Sequence, residues 1–415
     1  MADVLKLKCS VCGREYAPDE VMYACPVCGQ VGTLDVLYDY ARLRDQLNRD
    51  AMASNRVQTM WRYRDLLPLK SESRVPPLRV GNTPLYDAPR LAADLGLAAA
   101  WVKDDGSNPT GSLKDRASAM IIARAQEAGI TTVSTASTGN AAAALSGVGA
   151  SVPGMKIIIF VPASAPEAKI AQLLVYGATV LLVESNYDTA FDLCYEMCIE
   201  QGWYCRNTGI NPYTIEGKKT VAFEIAESFN WDVPDVVIVS VGDGNIIAGV
   251  HKGFVDLLEL GWISRIPRLI GVQAEGSSPL VSAWEQNTAA ADMQPVDAQT
   301  IADSISAGLP RDRAKALRAV RATNGAFVAV PDNQTIASIP TMARLTGVFC
   351  EPSSAITYAG ARRALELGFL KPDERVVFLL TGNGLKDVRR AQESVRGGMR
   401  VAPNADAVRR ALHLE

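Results

Sequence analysis

Histidine is nearly absent: His251 and His413 are the only two in 415 residues. His251 sits on a helical stretch after a glycine-rich turn and His413 in the tail, so neither reads as a metal ligand or a general base. An excess of either charge is also missing. The formal net charge is −3, with no basic stripe or polybasic tail, which leaves no footprint for nucleic acid or an anionic membrane. No run of about 18 apolar residues occurs, so no membrane-spanning helix is expected. Residues 1–8 lack the long apolar core of an export signal, and no repeat period or low-complexity segment stands out. What remains is an ordinary globular composition, 48% apolar and 21% charged. At roughly 100–200 residues per domain it makes two or three structural units.

The eight cysteines fall into two groups. Cys194, Cys198, Cys205 and Cys350 are scattered in apolar surroundings and read as buried thiols. Cys9, Cys12, Cys25 and Cys28 form two Cys-x-x-Cys pairs separated by 12 residues. Each pair places two sulfurs on one tight knuckle, and two knuckles complete a tetrahedron around Zn²⁺. Gly13 and Gly29 follow the pairs, where a knuckle often needs a left-handed residue. Residues 1–35 are therefore expected to be a zinc ribbon with a structural ion. All four ligand positions are filled by thiolates, leaving none for catalysis. Reduced thiols and a missing export signal place the chain in the cytoplasm.

Residues 36–97 read as a polar, helical arm and lead-in. From about residue 98, short β-branched runs alternate with amphipathic helical stretches. Strands are expected at 99–103, 131–135, 156–161, 179–183, 235–240, 268–274, 326–330 and 375–380. Helices are expected at about 114–128, 139–149, 166–176 and 187–201. This alternation predicts an α/β fold with parallel sheets and right-handed crossovers. The catalytic body would span 98–390, with a smaller subdomain at about 130–205 and a helical tail at 391–415. The stretch 288–307 has no periodicity and reads as a long loop.

In parallel α/β folds, ligands bind beyond the carboxyl ends of strands. Four clusters fall there. Asn108-Pro109-Thr110-Gly111-Ser112-Leu113-Lys114 puts a lysine at a helix start, where the positive dipole end favours its neutral form. A neutral amine is what a Schiff base requires. Ser137-Thr138-Gly139-Asn140 opens a helix with amides and hydroxyls suited to a carboxylate. Val241-Gly242-Asp243-Gly244-Asn245 is a glycine-rich turn of the kind that cradles phosphates, with the Asp243 side chain expected to point away or cap the turn. Thr381-Gly382-Asn383-Gly384 offers a hydroxyl that meets a ring nitrogen without carrying charge. Each cluster alone also reads as an ordinary cap, turn or surface lysine.

Their order and spacing together resemble the fold-type II pyridoxal-phosphate enzymes and, among them, the threonine synthase family. The resemblance covers about 55–390. It includes Trp61-Arg62-Tyr63, Asn82-Thr83-Pro84-Leu85, Glu216-Gly217-Lys218-Lys219-Thr220, Glu351-Pro352-Ser353-Ser354-Ala355 and Thr381-Gly382-x-Gly384-Leu385-Lys386-Asp387. Some members of that family also carry an N-terminal zinc ribbon. The resemblance implies two parallel-sheet α/β domains and pyridoxal 5'-phosphate as cofactor. Lys114 would hold it as a Schiff base and move protons, and Asn140 would bond its phenolate oxygen. Gly242, Asp243, Gly244 and Asn245 would surround its phosphate, and Thr381 would face its ring nitrogen. Ser137, Thr138 and Gly139 would receive the substrate carboxylate. The implied reaction turns O-phosphohomoserine and water into threonine and phosphate, in a homodimer with a small amino-acid substrate.

Four positions depart from the family pattern. Ala141 replaces a hydroxyl residue after Ser137-Thr138-Gly139-Asn140. Leu113 replaces an aromatic before the lysine. Thr214 replaces an arginine that holds the substrate phosphate, and Lys218, Lys219 or Thr208 are the candidates to take over. The phosphate turn is short and contains Asp243. These departures leave open a β-replacement enzyme making cysteate from phosphoserine, or an eliminating lyase of the serine/threonine ammonia-lyase or carbon–sulfur lyase kind. A non-catalytic relative, with the ribbon as an interaction module, is the remaining alternative.

Overall fold

The computed structural model describes residues 3–165 and 167–414. Met1, Ala2, Pro166 and Glu415, at the edges of the expected ribbon, of one expected helix and of the tail, lie outside the described residues. The N-terminal unit is a three-stranded antiparallel sheet of β1 (Val4–Cys9), β2 (Glu15–Tyr16) and β3 (Leu34–Tyr38), in the order β2-β1-β3. Leu34, Val36 and Tyr38 are buried and alternate with half-buried neighbours, the two-residue period of a strand with one covered face. β3 crosses position 35. The two cysteine knuckles turn through Gly13 (φ +73) and Gly29 (φ +64), a backbone region that side chains with a Cβ rarely adopt.

The body begins with β4 (Leu85–Asp87) and β5 (Ala99–Asp104). It continues through β6 (Thr132–Ala136), β7 (Lys156–Pro162), β8 (Thr179–Val183) and β9 (Tyr204–Cys205), and then β10 (Val236–Ser240), β11 (Arg268–Ala274), β12 (Ala326–Val330) and β13 (Arg375–Leu380). Six of these form one sheet in the order β12-β11-β10-β13-β5-β4, parallel except for β4. The other four form a smaller parallel sheet, β8-β7-β6-β9. All of β10 is buried. Its unbroken apolar run is what a parallel strand covered on both faces requires, at about 1.5–3 kcal/mol for each large side chain removed from water.

β5, β10 and β13 are neighbours in the larger sheet, so the loops that leave their carboxyl ends meet. Those loops carry the lysine cluster, the glycine-rich turn and the Thr-Gly turn. The helices they lead into, or the next turn, begin at Lys114, Asn245 and Gly384. β6 brings the Ser137–Asn140 cluster from the smaller sheet.

One expectation changes. The arm is not simply polar and helical: between β3 and β4 it holds one helix (Tyr40–Gln46) and two 3₁₀ segments (Arg49–Ser54, Met60–Leu66), and a second helix (Pro89–Leu95) follows β4. Trp61 and Tyr63 are buried. The Tyr63 ring meets Phe223 edge-on at 5.3 Å, and Arg62 and the Tyr63 hydroxyl both bind Glu227. A 3₁₀ turn has three residues per turn rather than 3.6, so the buried face carries no helical period. The stretch 288–307 is largely loop with a short 3₁₀ turn at Asp303–Ile305. It is the long loop expected, and its Ile305 packs so tightly on the glycine-rich turn that a Cβ at Gly242 would stand 2.8 Å from its Cα.

Candidate active site

Lys114 is the first residue of the helix Lys114–Glu127. The next two residues anchor it. Asp115, buried, accepts from the Thr110 amide at 2.7 Å and from the Thr110 hydroxyl, closing the loop on itself. Arg116, fully buried, clasps Asp105 through two contacts of 2.6 and 2.8 Å and also binds Glu224. Lys103 reaches the same Glu224 at 2.6 Å, so two cations face two carboxylates. Burial lowers the Lys114 pKa to about 8; Glu351 pulls it back up and Arg206 pushes it further down. About a tenth of the amine is thus neutral at pH 7, far more than for an ordinary lysine.

The amine shares a cavity of ≈ 50 Å³ with Thr208, Lys218, Ser240, the run Val241–Ile247, Ser304 and Ile305. One water needs about 10–15 Å³ on this measure, so the space holds a group about the size of a phosphate. A wider cleft of ≈ 450 Å³ lined by Lys70, Glu127 and Met155 contains none of these residues. Gly244 has φ +86 and caps the helix Asn245–Glu259 without any side-chain cap, so its first amides are free for an anion. The Ser240 hydroxyl is buried in this cavity without a partner. Asp243 turns its carboxylate to the Arg311 amide at 3.3 Å, and its carbonyl accepts from the Asp312 amide at 2.8 Å. It thus points away from the turn, the first of the two orientations expected. Asn245 is engaged with Thr214 at 3.2 Å and with Lys218 and Asp312.

The Thr-Gly turn is bound to the lysine loop. The Leu113 amide donates to the Thr381 carbonyl and the Asn383 amide to the Gly111 carbonyl, each at 2.9 Å. The Ser354 hydroxyl accepts from the amides of Thr381 and Gly382 at 2.9 Å. Asn140 donates from Nδ2 to both oxygens of Glu351 at 3.0 Å and to Ser304 at 3.3 Å. Glu351 lies against the turn: a Cβ at Gly382 would fall 2.3 Å from Oε1. Glu351 and Ser354 lay inside a quoted motif, but sequence reasoning gave them no role. Ser137, Thr138 and Gly139 are part-exposed at the uncapped start of the helix Asn140–Ala150.

Lys218 is buried in the cavity wall and its pKa is far below the usual lysine value, through burial first and then the nearby Lys114 and Arg206. Thr214, in place of the family arginine, donates to the Asn211 carbonyl at 2.8 Å. Lys219 points elsewhere: it pairs with Glu216 and Asp256 at 2.5 and 2.7 Å, under the Tyr38 ring. Of the three candidates to replace the arginine, only Lys218 and Thr208 reach the cavity.

Residues 77–382 match the family model described as pyridoxal-phosphate dependent enzyme. A threonine synthase of Methanocaldococcus jannaschii is 39% identical over 94% of this chain and 96% of its own length. One of Methanosarcina acetivorans is 38% identical over 98% of both chains. The chain belongs to the pyridoxal-phosphate dependent enzymes, in the threonine synthase family. Its fold matches a processed threonine deaminase isoform 2 of Solanum lycopersicum with TM-score 0.63, at 22% identity over 75% of this enzyme and 88% of that chain.

The residues of the enzyme fit the cofactor of that family. An amine with a lowered pKa stands across one cavity from an uncapped helix start and an orphaned hydroxyl, which is the donor set that an aldehyde phosphate needs. The thiols also fit an ion. The sulfurs of Cys9, Cys12, Cys25 and Cys28 lie within 4.8 Å of one another. A zinc tetrahedron with Zn–S of about 2.3 Å needs them about 3.8 Å apart. Cys194, Cys198, Cys205 and Cys350 are all buried. No described helix is long and apolar enough to cross a membrane.

Proposed function

We propose that the enzyme converts O-phosphohomoserine and water to threonine and phosphate. The observation that carries this is the single cavity shared by Lys114, the uncapped glycine-rich turn and Lys218, in a chain whose relatives of nearly equal length are named threonine synthases.

Pyridoxal phosphate, when bound, supplies an electron sink for a carbanion beside the substrate nitrogen. Lys114 would hold it, and its amine, freed when substrate binds, would move protons at the substrate carbons within each turnover. Its pKa of about 8 lets it both accept and return a proton near neutral pH. The amides of Gly242–Asn245 and the Ser240 hydroxyl would hold the cofactor phosphate. Thr381 would meet the ring nitrogen with a neutral hydroxyl, on a turn that Ser354 fixes. Asn140, whose Nδ2 donates to Glu351 and Ser304, would turn that amide to the ring oxygen of the bound cofactor. Ser137, Thr138 and Gly139 present a helix start to the substrate carboxylate.

The four N-terminal thiols hold a structural zinc in this reading, and the enzyme acts as a cytoplasmic homodimer. Sedimentation of the purified protein tests the dimer. The function is tested by offering the holoenzyme O-phosphohomoserine, O-phosphoserine with sulfite, and L-threonine in turn. Threonine with equimolar phosphate from the first is the expected result. Cysteate, or 2-oxobutyrate with ammonia, and no turnover of phosphohomoserine would overturn it.

A further inference from the structure

Arg206 is among the largest fully buried side chains in the molecule. Among the described residues it has no carboxylate within ion-pair distance. Its Nη1 donates to the Thr208 hydroxyl at 3.1 Å and its Nε to Ser118 at a long 3.4 Å. Its Nη2 is buried with no hydrogen-bond partner among the described residues. A buried guanidinium without a counter-charge is costly, because its lost hydration is not replaced. The price is visible in its pKa, which burial lowers to about 10. Native structures keep such groups where an anion completes them.

The location says which anion. Arg206 follows β9, the strand of the smaller sheet next to β6, and its amide donates to Ser134 of β6 at 2.8 Å. The next residue, Asn207, ties the loop to the end of β6 by accepting from the Ala136 amide at 2.7 Å. Thr208, the acceptor of Arg206, lines the cavity. The arginine is therefore carried by the smaller sheet, just after the strand beside the one that leads into Ser137–Gly139, and its charge acts on Lys114, Lys218 and Asp243 around the cavity. Lys218 is held by Asn245, the first helical residue after that turn, and so serves the cofactor's side. Thr214 offers only a hydroxyl, which is already used within its own turn.

We propose that Arg206, oriented by Thr208, binds the phosphate of the substrate and makes this enzyme specific for a phosphorylated amino acid. This rests on the functional reading above and supplies the guanidinium that Thr214 lacks, from eight residues upstream. A guanidinium meets a phosphate with two parallel N–H donors, and Nη2 is the donor left over for it.

The test is Arg206→Gln beside Arg206→Lys in the cofactor-loaded enzyme, with cofactor absorbance confirming loading. Calorimetry with inorganic phosphate is the readout that does not depend on turnover, because the cofactor already fills the other phosphate site. The proposal expects R206Q to lose phosphate binding and to raise KM for O-phosphohomoserine about 10- to 100-fold, the value of a hydrogen bond to a charged group. The change in kcat should be much smaller, and R206K should recover part of the loss. Should R206Q fail to load, the same readouts are taken on Thr208→Val, where a smaller loss in the same direction is expected. Unchanged phosphate binding in the loaded variant overturns the proposal, as does a wild-type holoenzyme that binds no phosphate. A wild type that binds phosphate through Arg206 but does not turn over O-phosphohomoserine keeps this site and removes the threonine synthase reading instead.

Discussion

The amide of Leu113 donates to the carbonyl of Thr381 at 2.9 Å, and the amide of Asn383 returns to Gly111 at the same distance. Two loops more than 260 residues apart in the chain are thereby joined as a short antiparallel pair. The residue after Leu113 is Lys114, so the backbone that carries the amine and the backbone of Thr381 are held together before any ligand arrives.

Ser354 holds that pair from behind. Ser354→Ala leaves the buried amides of Thr381 and Gly382 without an acceptor, at about 1–3 kcal/mol for each. Denaturant unfolding of the apoenzyme should register the loss, and the dissociation constant for pyridoxal phosphate should rise with it. An unchanged unfolding midpoint would show that the hydroxyl does not support the turn.

The lysine itself predicts a pH profile. Burial sets its pKa at about 8 against an ordinary 10.5, and only the neutral amine condenses with an aldehyde. The rate of cofactor uptake by apoenzyme should climb with pH and level off above about 8. Stopped-flow absorbance over the pH series checks it. A rate that keeps climbing toward the ordinary lysine value would mean that the amine is solvated.

Glu224 predicts acid sensitivity. Its burial alone would raise its pKa, but Arg116 and then Lys103 outweigh that and hold the carboxyl far below its usual 4.5. A carboxyl with a depressed folded pKa gives stability that is complete above the unfolded value and is lost as pH falls below it. Wild-type stability to urea should therefore fall more steeply below about pH 4.5 than that of Glu224→Gln. At neutral pH the order reverses, since breaking a buried pair costs about 3–5 kcal/mol. Parallel acid slopes for the two proteins would count against it.

The ribbon gives a prediction independent of catalysis. A structural zinc contributes about 10–16 kcal/mol to the local fold, and Cys12 is exposed enough to replace without filling a core. Cys12→Ser should lose its zinc by elemental analysis and become open to protease within the knuckles. The contacts that dock the ribbon on the body, Lys315 to the Leu34 carbonyl at 2.7 Å and Arg318 to Asp35 at 2.7 Å, should then loosen. Full zinc content in the variant would remove the four-thiolate site.

Much of this was legible because parallel α/β architecture puts loops with small and polar residues at strand ends. The strands near Thr132, Arg268 and Arg375 and the helices at Lys114 and Tyr187 follow their apolar periods closely. β4 was not legible: three residues with one pairing partner carry no period. The arm around Trp61 and Tyr63 was misjudged as polar because 3₁₀ segments break the helical spacing that marks a buried face. Arg206 gave no signal either. An arginine just after a short strand reads as solvated, and only the packing of Ser118, Ser134 and Thr208 around it reveals a buried cation lacking a partner. Glu351 was visible in a motif, but its contact with Asn140 joins two sheets, a relation no local pattern encodes.

The most direct test of the account is borohydride reduction of the pyridoxal-phosphate-loaded protein, followed by peptide mass mapping. The account predicts a single pyridoxyl adduct on Lys114 and none in Lys114→Ala. An adduct on Lys218 or another lysine, or no adduct at all, would contradict it.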